Sequence, residues 1–525
     1  MKAFSKPYFI GVTALFIVLF DNTSFFEQVL KIYPFNSTNI GFLCSLGFLL
    51  YALLVVLFTL FSFKAILKPM LVFMLFLSAI IRYFMHTYHI VMDESMIENI
   101  LQTDAKESYD LLSMQLFIDL FIFAIIPSFI LYKIPLHYRG IKIEFFSSLK
   151  STVIHLLMIA LSLFLFSKFY TSFFREHQNL RLYANPLSAI YNSVAYTYHQ
   201  LQDTRIPMKI IGEDAHIEKE STEKRKIVIM VVGEAARADH FSLNGYQKQT
   251  NPLLAQENII NFSNFYSCGT TTAVSVPCMF SVYTRKTYNS QKGYNTYNVL
   301  DILHKAGVEV LWRDNNSDSK GVAVRLDYAY YKTDTLNSKC DIECRDEGML
   351  VGLDSIIKKE HNDILIVLHQ MGNHGPAYYQ RYPKSFEVFT PVCRSNQLET
   401  CTKEEINNAY DNALRYTDYF LSKTIHLLKQ YTNTADTAMI YIADHGESLG
   451  EGGLYLHGLP YFMAPDYQKH VGAFMWFSKD FPINKNTIKE KSKYKYSQDN
   501  LFSTLLGLFK VRTKVYEKKM DILAN

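Results

Sequence analysis

At three places in the second half of the chain, acidic or imidazole side chains stand where an apolar run has just stopped. Glu234 follows IVIMVVG, Asp444 and His445 follow AMIYIA, and His374 lies a few residues beyond ILIVLHQ. Two acids and an imidazole at neighbouring strand ends make a mixed N/O site suited to zinc, with a coordination position left open. A helix cap or a solvated carboxylate would account for Glu234 alone; the convergence favours a metal. The nucleophile such a metal would activate lies in CGTTTAVSVPC, where Thr270, Thr271, Thr272 and Ser275 sit in a loop that a Cys268–Cys278 disulfide would close. A hydroxyl is a weak nucleophile until its pKa is lowered. Spacing does not choose among the threonines.

These groups need a scaffold that brings distant strand ends together. Ile227–Val232, Val308–Trp312, Ile364–Leu368, Ala438–Ala443 and Ala473–Phe477 read as buried strands, and Asn298–Ala306 and Glu404–Lys429 as helices between them. The alternation predicts an α/β domain with a largely parallel sheet, in which ligands collect at the carboxyl ends of strands. Six of the seven cysteines lie here, an even set that reads as three disulfides in an oxidising compartment. Close spacing pairs Cys268 with Cys278, Cys340 with Cys344 and Cys393 with Cys401.

The first half has a different composition. Ile40–Phe63 is a run of 24 uncharged residues, enough to cross a bilayer. Ser151–Ser167 is a slightly short second run, and Tyr8–Phe20, Pro69–Ile81 and Leu120–Tyr132 must extend through Asp21, Arg82 and Asp119 to span. Five spans result, the first being retained rather than cleaved because DNTSFF offers no small-x-small site. Lys2, Lys6, Lys64, Lys68, Lys133, Arg139, Lys142 and Lys150 fall on one side and Lys31 and Lys106 on the other, placing the N-terminus in the cytoplasm and the C-terminal half outside it. Pro186–Leu201 carries an apolar, Tyr-rich helical stripe suited to the membrane interface, and the charged stretch Glu213–Lys226 reads as a linker. The expected divisions are a transmembrane domain over 1–175, interfacial helix and linker over 176–226, and an extracytoplasmic catalytic domain over 227–525. Between two spans, Asn99, Thr103 and Glu107 recur at i, i+4, i+8, a polar stripe on one helical face.

At 525 residues, with 53 Lys and Arg against 49 Asp and Glu, the chain is no small binding module, no disordered protein and no evident nucleic-acid binder.

The segments VVGEAARADHFSLNGY, SCGTTTAVSVPCMFS, NNSDSKGV, HGPAYYQRYP and DHGESLGEGGLYLHGLPY, in this order after five apolar spans, closely resemble the lipid A phosphoethanolamine transferases, which include the mobile colistin-resistance enzymes. The resemblance covers essentially the whole chain. It implies an alkaline-phosphatase/sulfatase-like α/β domain in the periplasm, anchored by five transmembrane helices in a Gram-negative inner membrane. Carried over residue by residue, it makes Thr272 the nucleophile and Glu234, Thr272, Asp444 and His445 the ligands of one firmly bound Zn2+. His374 and His457 would help hold a second metal ion or protonate a leaving group. Lys320 and Ser317 would contact bound phosphoethanolamine, and Asn99, Thr103 and Glu107 the donor headgroup. The implied reaction moves phosphoethanolamine from phosphatidylethanolamine to lipid A through a phosphothreonine-type intermediate, releasing diacylglycerol and conferring polymyxin resistance. A monomer working on membrane lipids, without nucleic acid, is expected. The alternatives are a related transferase acting on core sugar, surface protein or another envelope glycan, and a non-catalytic sensor. A formylglycine sulfatase is disfavoured because CGTTTAV lacks C/S-x-P-x-R. His240, His361, His369 and His426 match no role and read as structural or surface residues.

Overall fold

The computed structural model describes residues 4–203, 207–218 and 223–524. Lys2 and part of the expected linker, 219–222, lie outside the described residues. The chain divides into two compact units, one of residues to Ile97 with Leu112–Thr197, the other of Glu98–Leu111 with Tyr198 onward. This partition differs from the boundaries read at 175 and 226. A segment that precedes two of the spans in sequence belongs structurally to the C-terminal unit.

The first unit is helical: α1 (Lys6–Phe20), α2 (Thr23–Ile32), α3 (Ile40–Leu60), α4 (Leu67–Thr87), the start of α5 (Glu94–Gln102), then α7 (Met114–Lys133) and α8 (Ile141–Leu165). The short α6 (Ala105–Asp110) and the rest of α5 fall in the second unit. Among the described residues four helices are long and apolar enough to cross a membrane, and a fifth span results if α1 and α2 are counted together. That pair is bent by 56°. The expected extension of the first span through Asp21 is therefore a break: Asp21 caps α1, Ser78 Oγ donates to its carboxylate at 2.9 Å, and Asn22 and Asn185 exchange hydrogen bonds across the corner. The other two intraspan charges face each other, Arg82 Nη1 standing 2.5 Å from Asp119 Oδ2, since an unpaired charge at that depth is costly. The helix α9 (Leu187–Asp203), expected at the membrane interface, exposes Tyr191, Val194, Tyr198 and Leu201 along one face.

The second unit is built on a seven-stranded sheet: β1 (Arg225–Gly233), β2 (Ile260–Asn261), β3 (Glu309–Asp314), β4 (Asp327–Tyr330), β5 (Ile364–His369), β6 (Ala435–Ala443) and β7 (Ala473–Phe477), in the order β2-β7-β6-β1-β5-β3-β4. β6, β1, β5, β3 and β4 are parallel; β7 and β2 run antiparallel at one edge. The central strands are buried along their length, as the continuous apolar runs require when helices cover both faces. The two expected helices form as α11 (Val299–Lys305) and α12 (Lys403–Lys429), following α10 (Thr272–Met279) in the chain. Asn298 and Thr402 start them with reciprocal capping boxes to Asp301 and Glu405. All three expected disulfides are formed.

Candidate metal centre

The site forms where β1 and β6 end. Their parallel register runs to Gly233 opposite Ala443, and Asp444 N donates to Gly233 O at 2.8 Å, so Glu234 and Asp444 leave the sheet side by side. His445 follows at once. Its Nδ1 lies 2.9 Å from Gly446 O. A carbonyl only accepts, so Nδ1 carries the proton and Nε2 presents its lone pair. That lone pair is 3.3 Å from Glu234 Oε1 and 3.3 Å from Asp444 Oδ2.

Both of those carboxylate oxygens are buried and receive no hydrogen bond. Burial and then the neighbouring Asp444 carboxylate push Glu234 well above the usual carboxylate range, and burial pulls His445 below its ordinary value. Two orphaned carboxylate oxygens and an imidazole lone pair, all within 4.8 Å of one another, call for positive charge between them. The residues fit a metal ion, and two carboxylates with one nitrogen fit zinc.

Thr272 completes the cluster. Its Oγ1 donates to Glu234 Oε2 at 3.1 Å and lies 3.3 Å from His445 Nε2. It is the first residue of α10, whose free N–H groups favour negative charge at that end. The other hydroxyls point elsewhere: Thr270 Oγ1 donates to Leu459 O, Thr271 Oγ1 is buried without a partner, and Ser275 Oγ accepts from Gly269 N. Of these hydroxyls, Thr272 is the one in contact with Glu234 and His445.

Around this cluster, His457 Nδ1 lies 2.8 Å from Glu447 Oε2, and its ring centroid is 4.1 Å from that of His445 and 6.0 Å from that of His374. Although burial alone would lower His457, the Glu447 carboxylate outweighs it and raises the imidazole; burial and Arg381 hold His374 well below its usual value. Lys320 is only 5% exposed, so it is no surface lysine: its Nζ donates to Ser317 O at 3.0 Å and to Gln102 O at 3.2 Å. Ser317 bonds Asn316 Oδ1 through both N and Oγ.

The expected stripe of Asn99, Thr103 and Glu107 is not continuous. α5 ends at Gln102 and α6 begins at Ala105, Thr103 turns its hydroxyl to Asn99 O, and Glu107 pairs with Lys332. Asp104 accounts for the break, because its side chain accepts from Glu107 N and caps the new helix. His240 and His369 are buried on Asp411 and Asp314, and His426 stands beside Glu257.

Several supporting residues were not singled out as site residues from the sequence. Asn316 Nδ2 donates to Glu234 Oε2 at 2.9 Å and to Gln370 O, orienting the acid. Gln498 accepts from Cys268 N and donates to Ala443 O and Asp444 O, tying the disulfide loop to the end of β6. Gly372 lies at φ +48° with Glu234 main-chain atoms 3.0–3.1 Å from where a Cβ would sit. Each is an isolated polar or small residue in a loop, and only proximity gives it meaning.

A family model described as Sulfatase matches residues 226–511, and one described as Phosphoethanolamine transferase EptA/EptB matches residues 50–201. The chain is 41% identical to phosphoethanolamine transferase EptA of Escherichia coli (strain K12), covering 98% of this chain and 95% of that one. It is 40% identical to phosphatidylethanolamine transferase Mcr-1 of Escherichia coli, covering 97% and 96%. Its structure superposes on the integral membrane lipooligosaccharide phosphoethanolamine transferase A of Neisseria meningitidis with a TM-score of 0.93 at 34% identity, covering 98% of both. Sequence over both units and fold over the whole length agree, and the chain belongs to the EptA/EptB family of phosphoethanolamine transferases.

Proposed function

We propose that this transferase moves phosphoethanolamine from phosphatidylethanolamine to a phosphate of lipid A in two steps through Thr272. The observation that carries the reading is the placement of one hydroxyl, at a helix N-terminus, against Glu234 and His445. In the first step Thr272 Oγ1 gives up its proton to Glu234 Oε2, its hydrogen-bond acceptor, and attacks phosphorus; the bond to the glyceride oxygen breaks, and diacylglycerol leaves with a proton from His457. Phosphoethanolamine remains on Thr272. In the second step a lipid A phosphate oxygen attacks the same phosphorus and Thr272 is restored. Glu234, Asp444, His445 and Thr272 would hold one zinc ion, which when bound lowers the hydroxyl pKa and offsets charge on the phosphoryl oxygens.

Lys320 and Ser317, the latter bonded to the Asn316 that orients Glu234, suit the phosphate, and the Asn99–Glu107 segment suits the headgroup. Basic residues on one side of the spans, with three disulfides in the catalytic unit, support a cytoplasmic N-terminus and a periplasmic catalytic unit in a Gram-negative inner membrane. A monomer suffices, since every group invoked belongs to one chain. The product carries an added ammonium, which repels cationic peptides such as polymyxins. Mass spectrometry of lipid A from cells expressing the protein tests this. A phosphoethanolamine increment is expected; unchanged lipid A with modified core sugar or protein would overturn the acceptor.

A further inference from the structure

Two buried cations of the catalytic unit pair with acids of the segment 98–111. The Lys332 side chain is 6% exposed and that of Arg381 1%. Lys332 Nζ pairs with Asp104 and with Glu107, the latter at 3.3 Å. Arg381 Nη2 pairs with Asp110 at 2.7 Å, its Nη1 with Glu343 inside the Cys340–Cys344 loop, and its Nε donates to His374 O at 2.6 Å.

A buried cation is tolerated only where acceptors meet it. For Lys332 both carboxylates come from the segment, and for Arg381 one of two does. The same guanidinium also fixes the main chain of a histidine beside the metal ligands. Docking of the segment and placement of His374 are therefore joined in one side chain. Glu107 is set by the same contacts. Three further hydrogen bonds complete the seat: Ser290 Oγ on Glu98, Gln102 Nε2 on Tyr294 Oη and Lys320 Nζ on Gln102 O.

We propose that Lys332 and Arg381 are positioning residues for the transfer reaction, two buried cations that seat residues 98–111 as a working wall of the catalytic unit and, through Arg381, set His374. The proposal rests on the transfer reading for its kinetic consequence, but the docking itself does not.

The test uses full-length protein in detergent with Lys332→Met and Asp110→Asn, which remove a charge with little change of shape, and Arg381→Lys, which keeps the charge but loses the fork that reaches Asp110, Glu343 and His374 O together. Amide hydrogen exchange over residues 98–111 is read first. Protection should fall at least tenfold in all three variants while the strand peptides 225–233 and 435–443 stay as in the parent and bound zinc is retained. Turnover of a short-chain phosphatidylethanolamine is read second. Lys332→Met and Asp110→Asn should raise KM about tenfold with a smaller change in kcat, whereas Arg381→Lys should lower kcat as well, because it also frees His374. Unchanged protection of 98–111, or loss of protection spread equally over the central strands, would overturn the proposal. Loss of protection confined to 98–111 with no change in either kinetic constant would also overturn it. Absence of turnover in the parent, with the exchange pattern as expected, would instead count against the transfer reading and leave the docking supported.

Discussion

Asp444 N donates to Gly233 O at 2.8 Å, and this last rung between β6 and β1 sets the two acids of the candidate metal centre next to each other. Gly372 lies in a left-handed conformation beside the Glu234 main chain, and a Cβ added there would sit 3.0–3.1 Å from Glu234 O and N. Gly372→Ala should push Glu234 outward. The expected outcome is zinc affinity lower by about 10–100-fold, the range seen when groups supporting metal ligands are disturbed, with the far-ultraviolet circular dichroism unchanged. Chelator competition on the purified protein measures it, and wild-type affinity would show that Glu234 is positioned by other means.

Among the hydroxyls of the α10 loop, only Thr272 meets the carboxylate and imidazole. Thr272→Ala should therefore abolish lipid A modification, while Thr270→Ala and Thr271→Ala retain part of it. Thr271 is fully buried with an unpartnered hydroxyl, so its replacement by Ala should cost little stability. Mass spectrometry of lipid A from each strain reads the result; normal product from Thr272→Ala would exclude a covalent intermediate on that residue.

Glu234, Asp444 and His445 were legible in the sequence because each directly follows a continuous apolar run, and such runs in an α/β chain end at the same edge of the sheet. The disulfides were legible from spacing. Asn316, Gln498 and Gly372 were not, because nothing local distinguishes a loop Asn that orients a ligand from one that caps a turn. Periodicity misled at Asn99, Thr103 and Glu107: the i, i+4, i+8 spacing is real, but Asp104 starts a second helix inside it. The corner at Asp21 was hidden similarly, since apolar content continues on both sides and only the Asn22–Asn185 exchange, between residues 163 apart in the chain, marks the turn.

Metal removal gives a further outcome. Dialysis against a chelator should eliminate transfer, and zinc should restore it better than magnesium, because His445 offers nitrogen to an ion while magnesium prefers oxygen and near-octahedral geometry. Equal or better recovery with magnesium would contradict the donor set.

The three disulfides should not contribute equally. Cys268–Cys278 closes the ends of the Thr272 loop, whereas Cys340–Cys344 closes a sequence separation of only 4. Disulfides typically contribute about 2–4 kcal/mol, more for longer loops. Paired Ser replacement of Cys268 and Cys278 should lower the thermal midpoint of the zinc-bound protein more than the same change at Cys340 and Cys344. The reverse order in scanning calorimetry would mean that the shorter loop matters more to the fold than its length implies.

A fragment beginning near Glu213 separates chemistry from placement. It retains Glu234, Thr272, Asp444, His445 and all six paired cysteines, but it lacks Asp104, Glu107 and Asp110. Lys332 loses both acids and becomes solvated where the segment had covered it, so folding should survive; Arg381 keeps Glu343. The fragment should bind zinc and cleave a fluorescent short-chain phosphatidylethanolamine slowly. In cells it should leave lipid A unmodified, because donor and acceptor are both held in a bilayer and bringing two reactants into register accounts for roughly 7–11 kcal/mol of a barrier. Full-length protein with Asn99, Thr103 and Glu107 all replaced by Ala should fall between the two, binding zinc normally and cleaving a water-soluble analogue while losing most lipid transfer. Full lipid A modification by the fragment, or an unaffected triple variant, would reduce the helical unit and the 98–111 segment to a tether.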